Sequence, residues 1–258
     1  MEDYLQLKHI SLSYHTKEGE VLALSDIDFS VQKNEFVSIV GPSGCGKTTI
    51  LSLIAGLLKP TSGEVLLEGE KITKDTSIGY MFQRDNLFPW RTIYKNVTIG
   101  LEIKKKKKDK ESLERVDELL KKYGLYDFKN SYPNQMSGGM RQRAALIRTL
   151  CLKPKILLLD EPFSALDYQT KLSVCDDVHS IITKENQTAI LVTHDISEAI
   201  SMSNRIIVLS KRPATVKCIQ TIELGDIQTP LKRRESPKFS KYFDLIWKEL
   251  SNEKEETS

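Results

Sequence analysis

The 258-residue sequence has few cysteines and no long apolar run, and these absences limit what the chain can be. The four cysteines are far apart and form no Cys-x-x-Cys pair, so neither a zinc site nor a disulfide framework is indicated. No stretch of about eighteen apolar residues occurs, and the first ten residues lack a basic segment followed by an apolar one. We therefore expect a reducing cytosolic environment, no signal peptide and no membrane span.

The charge balance is also uninformative, because a net charge of +3 is too small to imply a polyanionic partner. The length suffices for a substantial core in one large domain or two small ones. A lysine run at residues 104–108 with Lys110 could attract anionic lipid or nucleic acid. A solvated helix face is the expected interpretation of such a run.

Residues 41–49 read GPSGCGKTT and lie between the apolar run Phe36–Val40 and an apolar segment at residues 50–58. This context predicts a glycine-rich loop between a strand and a helix that begins at Lys47. In such loops backbone N–H groups surround phosphates, the lysine neutralises them, the hydroxyl after it binds Mg²⁺, and the helix dipole adds attraction. The predicted phosphate site consists of Gly41, Pro42, Ser43, Gly44, Cys45, Gly46, Lys47, Thr48 and Thr49.

The apolar patterning predicts an α/β fold. Alternation at residues 4–13 and 27–31 indicates half-buried strands of an antiparallel section near the N-terminus. Continuous apolar runs indicate central parallel strands at residues 36–40, 156–159, 189–192 and 206–209. Long helical stretches occur at residues 112–123 and 138–152. We therefore expect one domain with a nucleotide-binding core of residues 1–85 and 151–211, a helical insertion of residues 86–150, and a C-terminal extension of residues 212–258.

Two acids end the predicted strand in KILLLDEP. Asp160 can hold Mg²⁺ through water, and Glu161 can accept the proton of an attacking water. The alternative is that both acids merely cap the strand. His194 follows another apolar run, and a residue at the carboxyl end of a strand faces the ligand crevice of an open α/β sheet. We expect His194 to contact the γ-phosphate.

The segment MSGGMRQR at residues 136–143 predicts a second anion-binding helix start. Ser137 is a good N-cap, and Gly138 and Gly139 let a ligand approach the first turn of a helix that continues through Arg148. The chain already has its own phosphate loop. A second such site suggests that two chains meet across shared ATP.

These motifs, in this order and over nearly the whole chain, resemble the ATP-binding subunits of ABC transporters. The resemblance includes an aromatic Tyr14, Gln83 in YMFQ, the signature MSGGM, and SALD ending at Asp167. It implies the P-loop core of the ABC ATPase type with an antiparallel β section and an inserted helical subdomain. The signature departs from the broad family at Met136 and Met140, where Leu and Gln are usual.

The same resemblance implies roles for individual residues. Tyr14 would stack on adenine, and Gln83 would sense Mg²⁺ and the γ-phosphate. Ser137, with the glycines after it, would reach the ATP held by a second copy of the subunit, and Asp167 would lie at the dimer contact. For Tyr14 and Gln83, ordinary surface positions remain the alternative. The implied catalytic residues are Lys47, Gln83, Glu161 and His194, and the implied Mg²⁺ ligands are Thr48, Gln83 and Asp160.

An apolar cluster of Leu87, Phe88 and Trp90 follows Gln83 and predicts a docking surface. The alternative is that the cluster fixes the helical insertion to its neighbour. This segment and SGGMRQR resemble ATPase subunits of the nitrate, sulfonate and taurine importers. That resemblance implies a peripheral subunit on the cytoplasmic face of the membrane, separate permease subunits contacted by the cluster, and a solute-binding protein as an indirect partner.

We therefore expect an ATP- and Mg²⁺-dependent ATPase that powers solute uptake, with no nucleic-acid partner. Two alternatives are a soluble ABC-type ATPase acting on nucleic acid or ribosomes, and a regulator that hydrolyses nothing, which the intact Glu161 disfavours.

At the C-terminus, an apolar stripe with helical spacing predicts a helix packed on the protein itself or a partner, or bound to a membrane surface. Residues 252–258 are expected to be a disordered tail. The stripe comprises Phe239, Tyr242, Phe243, Ile246, Trp247 and Leu250.

Overall fold

The computed structural model describes residues 3–17, 19–73, 75–104, 109–225, 227 and 229–251. Ten strands and nine α-helices lie in these residues. The strands are β1 (Leu5–Thr16), β2 (Gly19–Val31), β3 (Phe36–Val40), β4 (Ser62–Leu67), β5 (Glu70–Lys71), β6 (Ile78–Met81), β7 (Ile156–Asp160), β8 (Thr188–Val192), β9 (Arg205–Leu209) and β10 (Val216–Thr221). The helices are α1 (Lys47–Ile54), α2 (Ile93–Val97), α3 (Ile99–Ile103), α4 (Lys110–Lys122), α5 (Gly138–Leu150), α6 (Tyr168–Lys184), α7 (Ile196–Met202), α8 (Pro230–Arg233) and α9 (Phe239–Ser251).

The strands form two sheets, and both predicted strand types are confirmed. An antiparallel sheet has the order β2-β1-β4-β5, and a larger sheet has the order β10-β9-β3-β8-β7-β6, in which only β10 runs antiparallel. The antiparallel hairpin is longer than predicted, because β2 begins at Gly19 instead of residue 27. Exposed residues and a left-handed Asp26 (φ 51°) interrupt the alternation there. The sequence patterns also missed β5, β6 and β10, which lie at sheet edges, and β4, whose first two residues are exposed.

The parallel sheet is covered on both faces, as its apolar strands predicted. Along β7, Leu157 and Leu159 belong to a core cluster with residues of α5 and α6. The alternate residues Ile156 and Leu158 belong to a second cluster with residues of α1 and the antiparallel sheet. Because β3, β7 and β8 are parallel, their carboxyl ends bring the glycine-rich loop, Asp160 and the segment after Val192 to one edge of the sheet.

The described residues between Met81 and Ile156 contain helices and no strand. The predicted helices at residues 112–123 and 138–152 correspond to α4 and α5. Within this part, α5 packs against α2 and α4 and also against α6 and β6 of the core. Residues 105–108 of the lysine run lie outside the described residues.

The C-terminal apolar stripe packs on the protein's own surface, which confirms one of the predicted alternatives. Ile246 of α9 is buried in a cluster with residues of α7 and β9, and Phe243 is partly buried against the same cluster. Trp247 stacks on Phe243 with ring centroids 6.3 Å apart and stays exposed. In the part of the chain that is described, no helix has both the length and the apolar character needed to cross a bilayer. The predicted tail at 252–258 falls outside that part.

Candidate nucleotide-binding and hydrolysis site

The glycine-rich loop adopts the geometry of a phosphate cradle around Lys47. α1 begins at Lys47, directly after Gly46, whose φ of 119° is in the left-handed region. A Cβ at Gly46 would also lie 2.7 Å from Leu24, so only glycine fits there. The Lys47 side chain is buried, and its Nζ donates to the carbonyls of Gly41 (2.8 Å) and Pro42 (2.9 Å). These bonds hold a positive charge inside the loop, where phosphate oxygens would complete its environment.

Two hydroxyl groups bind the carboxylate of Asp160, one at each oxygen. Thr48 Oγ1 donates to Asp160 Oδ1 (3.1 Å), and the Tyr80 hydroxyl donates to Asp160 Oδ2 (3.0 Å). Burial raises the pKa of Asp160, and both hydrogen bonds oppose that rise. Tyr80 begins the YMFQ segment, but the family resemblance assigns a role only to Gln83 of that segment, so sequence patterns do not identify Tyr80. The parallel pairing of β6 with β7 brings it to Asp160.

The oxygen ligands at this position fit Mg²⁺. Mg²⁺ prefers hard oxygen ligands and is usually bound by one or two carboxylates together with substrate phosphates and water. Thr48 and Asp160 supply a hydroxyl and a carboxylate beside the phosphate loop. Gln83 is exposed and lies two residues after the end of β6. This position agrees with a role at the same edge of the sheet, although the Gln83 side chain makes no direct contact with Thr48 or Asp160.

Glu161 and His194 are brought together after the adjacent strands β7 and β8. His194 Nδ1 lies 3.1 Å from Glu161 Oε2. The His194 side chain is 63% exposed and that of Glu161 is 24% exposed, so a water molecule can reach both. Glu161 has φ 44°, a left-handed conformation that is uncommon for a residue with a Cβ. Its N–H donates to Val192 O (2.9 Å), which fixes this turn to the end of β8.

A charged network behind His194 fixes its loop to α6. Lys171 of α6 donates to Asp195 Oδ2 (2.9 Å) and forms an ion pair with Glu198. Asp195 also caps α7, because its Oδ1 accepts from the N–H groups of the first turn. Glu198 Oε2 accepts from Thr193 Oγ1 (2.5 Å). Sequence reasoning missed Lys171 and Glu198, because only the fold brings these two helices together.

Tyr14 lies above the first turn of α1. Its hydroxyl is 3.1 Å from Thr49 Oγ1, and its ring is partly exposed on β1. This contact brings the Tyr14 side chain to the helix that follows the phosphate loop. The stacking role remains a prediction.

The signature segment begins α5 as the sequence predicted. Ser137 is exposed, and its hydroxyl accepts from Met140 N (3.3 Å) as the N-cap. The glycines also have a packing role, because a Cβ at Gly138 would lie 3.0 Å from Leu166 and one at Gly139 would lie 2.9 Å from Val174. Asp167 caps α6 by accepting from Thr170 N (3.0 Å), and this hydrogen bond lowers its pKa. The contacts of Ser137, Gly138, Gly139 and Asp167 with a second copy remain predictions.

Side chains of α5 hold the loop that follows Gln83. Arg141 Nε donates to the carboxylate of Asp85 (2.9 Å). Arg148 donates to the backbone carbonyls of Asp85 and Asn86, both at 2.7 Å. The signature helix and the Gln83 loop are therefore connected by several charge-assisted hydrogen bonds. Gln142 of the same helix donates to Pro162 O (2.5 Å), in the turn that follows Glu161.

The apolar cluster after Gln83 is only partly a surface. Leu87 is 7% exposed and lies in the core with residues of α5, so its predicted place in an exposed docking cluster is wrong. Phe88 is half-buried, and Trp90 is 72% exposed with its ring centroid 5.2 Å from that of Phe88. The fully buried Asn96 holds this loop: its Oδ1 accepts from Phe88 N, and its Nδ2 donates to three backbone carbonyls between residues 88 and 92.

Comparison with known proteins agrees with this geometry. A family model described as ABC transporter matches residues 24–164. The chain belongs to the ABC transporter family. It is the ATP-binding subunit type of that family, an ATPase, and the predicted recognition and fold class are confirmed.

The relatives extend over most of the chain. An uncharacterized ABC transporter ATP-binding protein of Bacillus subtilis, YtlC, is 48% identical and covers 96% of both chains. The nitrate import ATP-binding protein NrtD of Synechocystis is 40% identical over 94% of this chain and 93% of its own. The aliphatic sulfonates import ATP-binding protein SsuB of Bacillus cereus is 41% identical over 82% and 83%. A solved dimeric ATP-binding cassette in a post-hydrolysis state with ADP and Pi aligns with a TM-score of 0.70 at 35% identity, covering 85% of this chain and 99% of that chain.

Proposed function

We propose that this chain is the ATP-hydrolysing subunit of an importer, in which two copies enclose two MgATP molecules and drive uptake of a small solute of the nitrate, sulfonate or taurine type. The observation that carries the proposal is the pair of Glu161 and His194 beside Lys47, Thr48 and Asp160 at one sheet edge. The nitrate and sulfonate import relatives support the importer assignment.

The geometry supports water attack on the γ-phosphate. Lys47 neutralises phosphate charge from inside the loop, and Glu161 accepts a proton from the attacking water. His194, at 3.1 Å, orients the Glu161 carboxylate and responds to the γ-phosphate together with Gln83. Thr48, Asp160 and Gln83 would hold Mg²⁺. When bound, Mg²⁺ supplies positive charge that offsets the charge of the phosphates.

A second copy completes the site in this proposal. The exposed Ser137 and the first turn of α5 offer hydrogen-bond donors that lie at the start of a thirteen-residue helix. We assign them to the ATP bound by the partner, with Asp167 near the same contact. The dimeric cassette with ADP and Pi supports this arrangement.

The membrane partner would be a permease that binds at Phe88 and Trp90. Nucleotide state would reach this surface through the Gln83 loop, which α5 holds by Arg141 and Arg148. The chain would then lie peripherally on the cytoplasmic face of the membrane. A solute-binding protein would act on the permease without touching this chain.

Reconstitution tests the proposal directly. The chain is assembled in vesicles with a permease that co-purifies with it and the corresponding solute-binding protein, and ATP is supplied on the side of the ATPase. Labelled nitrate, taurine and ethanesulfonate are then followed. We expect ATP-dependent uptake of at least one of them. Outward transport, or ATP turnover that responds to RNA or ribosomes but drives no uptake, would contradict it.

A further inference from the structure

A cavity of about 950 Å³ lies at the sheet edge opposite the phosphate loop. It is bounded by α6, the start of β3 and the segment that follows β10. Its lining contains Phe36, Ile182, Ile222 and Leu224, which give it an apolar wall, together with His179 and Arg233. None of these residues takes part in the proposed hydrolysis, so the cavity needs an explanation of its own.

Among the described residues, Arg233 is a buried cation with no carboxylate in contact. Arg233 is only 8% exposed, and its guanidinium donates to the backbone carbonyl of Ser203 (2.7 Å). Over the described ranges, no carboxylate lies within 4.0 Å of Arg233. Arginine stays charged in proteins, and a buried charge is costly unless an opposite charge accompanies it. One backbone carbonyl supplies only a partial negative charge.

The described charged groups of the cavity lining do not fill this role. Asp176 accepts from the N–H of Leu231 (2.8 Å); burial raises the pKa of its carboxyl, and the cation that partly opposes this rise is Arg234, not Arg233. Glu223 and Lys184 are exposed residues at the rim.

The imidazole of His179 stands beside Phe36, with ring centroids 5.8 Å apart. Burial, with a smaller contribution from Arg233, lowers the pKa of His179 to about 4. The imidazole is therefore neutral near pH 7 and offers one N–H donor without adding charge.

We propose that this cavity binds a small organic monoanion, whose carboxylate pairs with Arg233 and whose apolar body packs against Phe36, Ile182 and Leu224. One positive charge that no described carboxylate contacts matches one negative charge. The apolar wall and the volume fit an organic body better than a bare inorganic ion. This site is separate from ATP hydrolysis, and the proposal does not depend on the transported solute.

Benzoate is a suitable probe, because it combines one carboxylate with an apolar ring. Its binding to the full-length wild-type chain without nucleotide is measured by isothermal titration, and the His179 ring signals are followed by NMR. Benzamide, which has the same shape and no charge, serves as the neutral comparison. We expect saturable benzoate binding that shifts the His179 signals, with benzamide binding at least about tenfold more weakly because it lacks the charge-assisted bond.

Two arginine variants locate the contact. Arg233→Met should weaken benzoate binding about tenfold or more. Arg234→Met removes the same charge from the neighbouring residue, which is outside the lining of the cavity. This second variant should bind benzoate as the wild type does. Equal affinity for benzoate and benzamide, or no saturable benzoate binding by the wild type, would overturn the proposal even if Arg233→Met did not fold. An equal loss in both arginine variants would also overturn it.

Discussion

The Tyr80 hydroxyl lies 3.0 Å from Asp160 Oδ2, whereas Thr48 donates to the other oxygen, Oδ1. Burial and the nearby Asp160 charge raise the pKa of Tyr80, so its hydroxyl keeps its proton and acts as the donor. This hydrogen bond fixes the direction in which the other oxygen of Asp160 points. Tyr80 is thus a positioning residue for the site where Thr48 and Asp160 would hold Mg²⁺.

Tyr80→Phe should weaken the binding of MgATP about tenfold and leave the binding of ATP in EDTA nearly unchanged. The reason is that a hydrogen bond to a charged group contributes about 1.5–3 kcal/mol, part of which water replaces. Titration of a fluorescent ATP analogue with and without Mg²⁺ measures both affinities.

Tyr4→Phe is the matched control for this variant. Its hydroxyl donates to Lys155 O (3.0 Å) in the same fold but away from the phosphate loop. Loss of one tyrosine hydrogen bond there should leave both affinities unchanged. If the two variants reduced MgATP affinity equally, Tyr80 would have only a structural role.

The sequence predicts the elements of this site that are local in the chain. The glycine-rich loop, the strand ending at Asp160 and the N-cap Ser137 depend on contiguous residues, and the structure has each of them in the expected secondary structure. The network of Lys171 and Glu198 joins residues from different helices, so no local pattern reports it.

Burial was the less predictable property. Leu87 and Trp90 are three residues apart in one loop, yet Leu87 is in the core and Trp90 is 72% exposed. Which of them is covered depends on α5, which packs beneath the loop and contributes to the same cluster. Hydrophobicity alone does not distinguish a residue that fixes a loop from one that presents a surface.

Glu161→Gln should retain MgATP binding and lower the ATP turnover number about a hundredfold to ten-thousandfold, because the amide keeps the shape but cannot accept the proton of water. The variant should also accumulate as a dimer in MgATP, since hydrolysis normally reopens the contact. Phosphate release and size-exclusion chromatography measure these two effects. ATPase activity near that of the wild type would remove Glu161 from the role of general base.

Ser137→Arg should abolish hydrolysis while the isolated monomer binds ATP with nearly unchanged affinity. The exposed Ser137 lies at the start of α5, so a bulky side chain there would obstruct the nucleotide of the partner. Nucleotide affinity at low protein concentration is compared with turnover at high concentration. A parallel loss of monomer affinity would contradict a site shared between two copies.

The partly buried His179 should make stability fall as the solution is acidified. Burial lowers its pKa to about 4, below the value of about 6.5 in an unfolded chain, so the unfolded state binds more protons between these values. The free energy of unfolding should therefore rise with pH in that window, with a contribution from His179 of at most about 1.4 kcal/mol per pH unit. Urea unfolding of the wild type and His179→Gln at pH 5 and pH 7 measures this slope. The variant should have the shallower slope, and the exposed His15→Gln should match the wild type.

Replacing Phe88 and Trp90 with Ala should separate ATP hydrolysis from transport. The ring of Trp90 is exposed and touches the half-buried Phe88, and Asn96 holds the backbone beneath them. Aromatic anchors commonly contribute about 2 kcal/mol or more each to an interface, so loss of both should release the permease. The double variant should keep the ATPase activity of the soluble chain, fail to co-purify with the permease and lose solute uptake in vesicles.

An exposed aromatic elsewhere provides the control for that experiment. Trp247→Ala removes a comparable exposed ring from α9 and should leave permease binding and uptake intact. Urea unfolding checks whether the double variant is destabilised, as it would be if Phe88 served mainly to fix the helical segment. Normal uptake by a double variant of reduced stability would leave these aromatics with that structural role. Loss of uptake at unchanged stability would assign the surface to the permease.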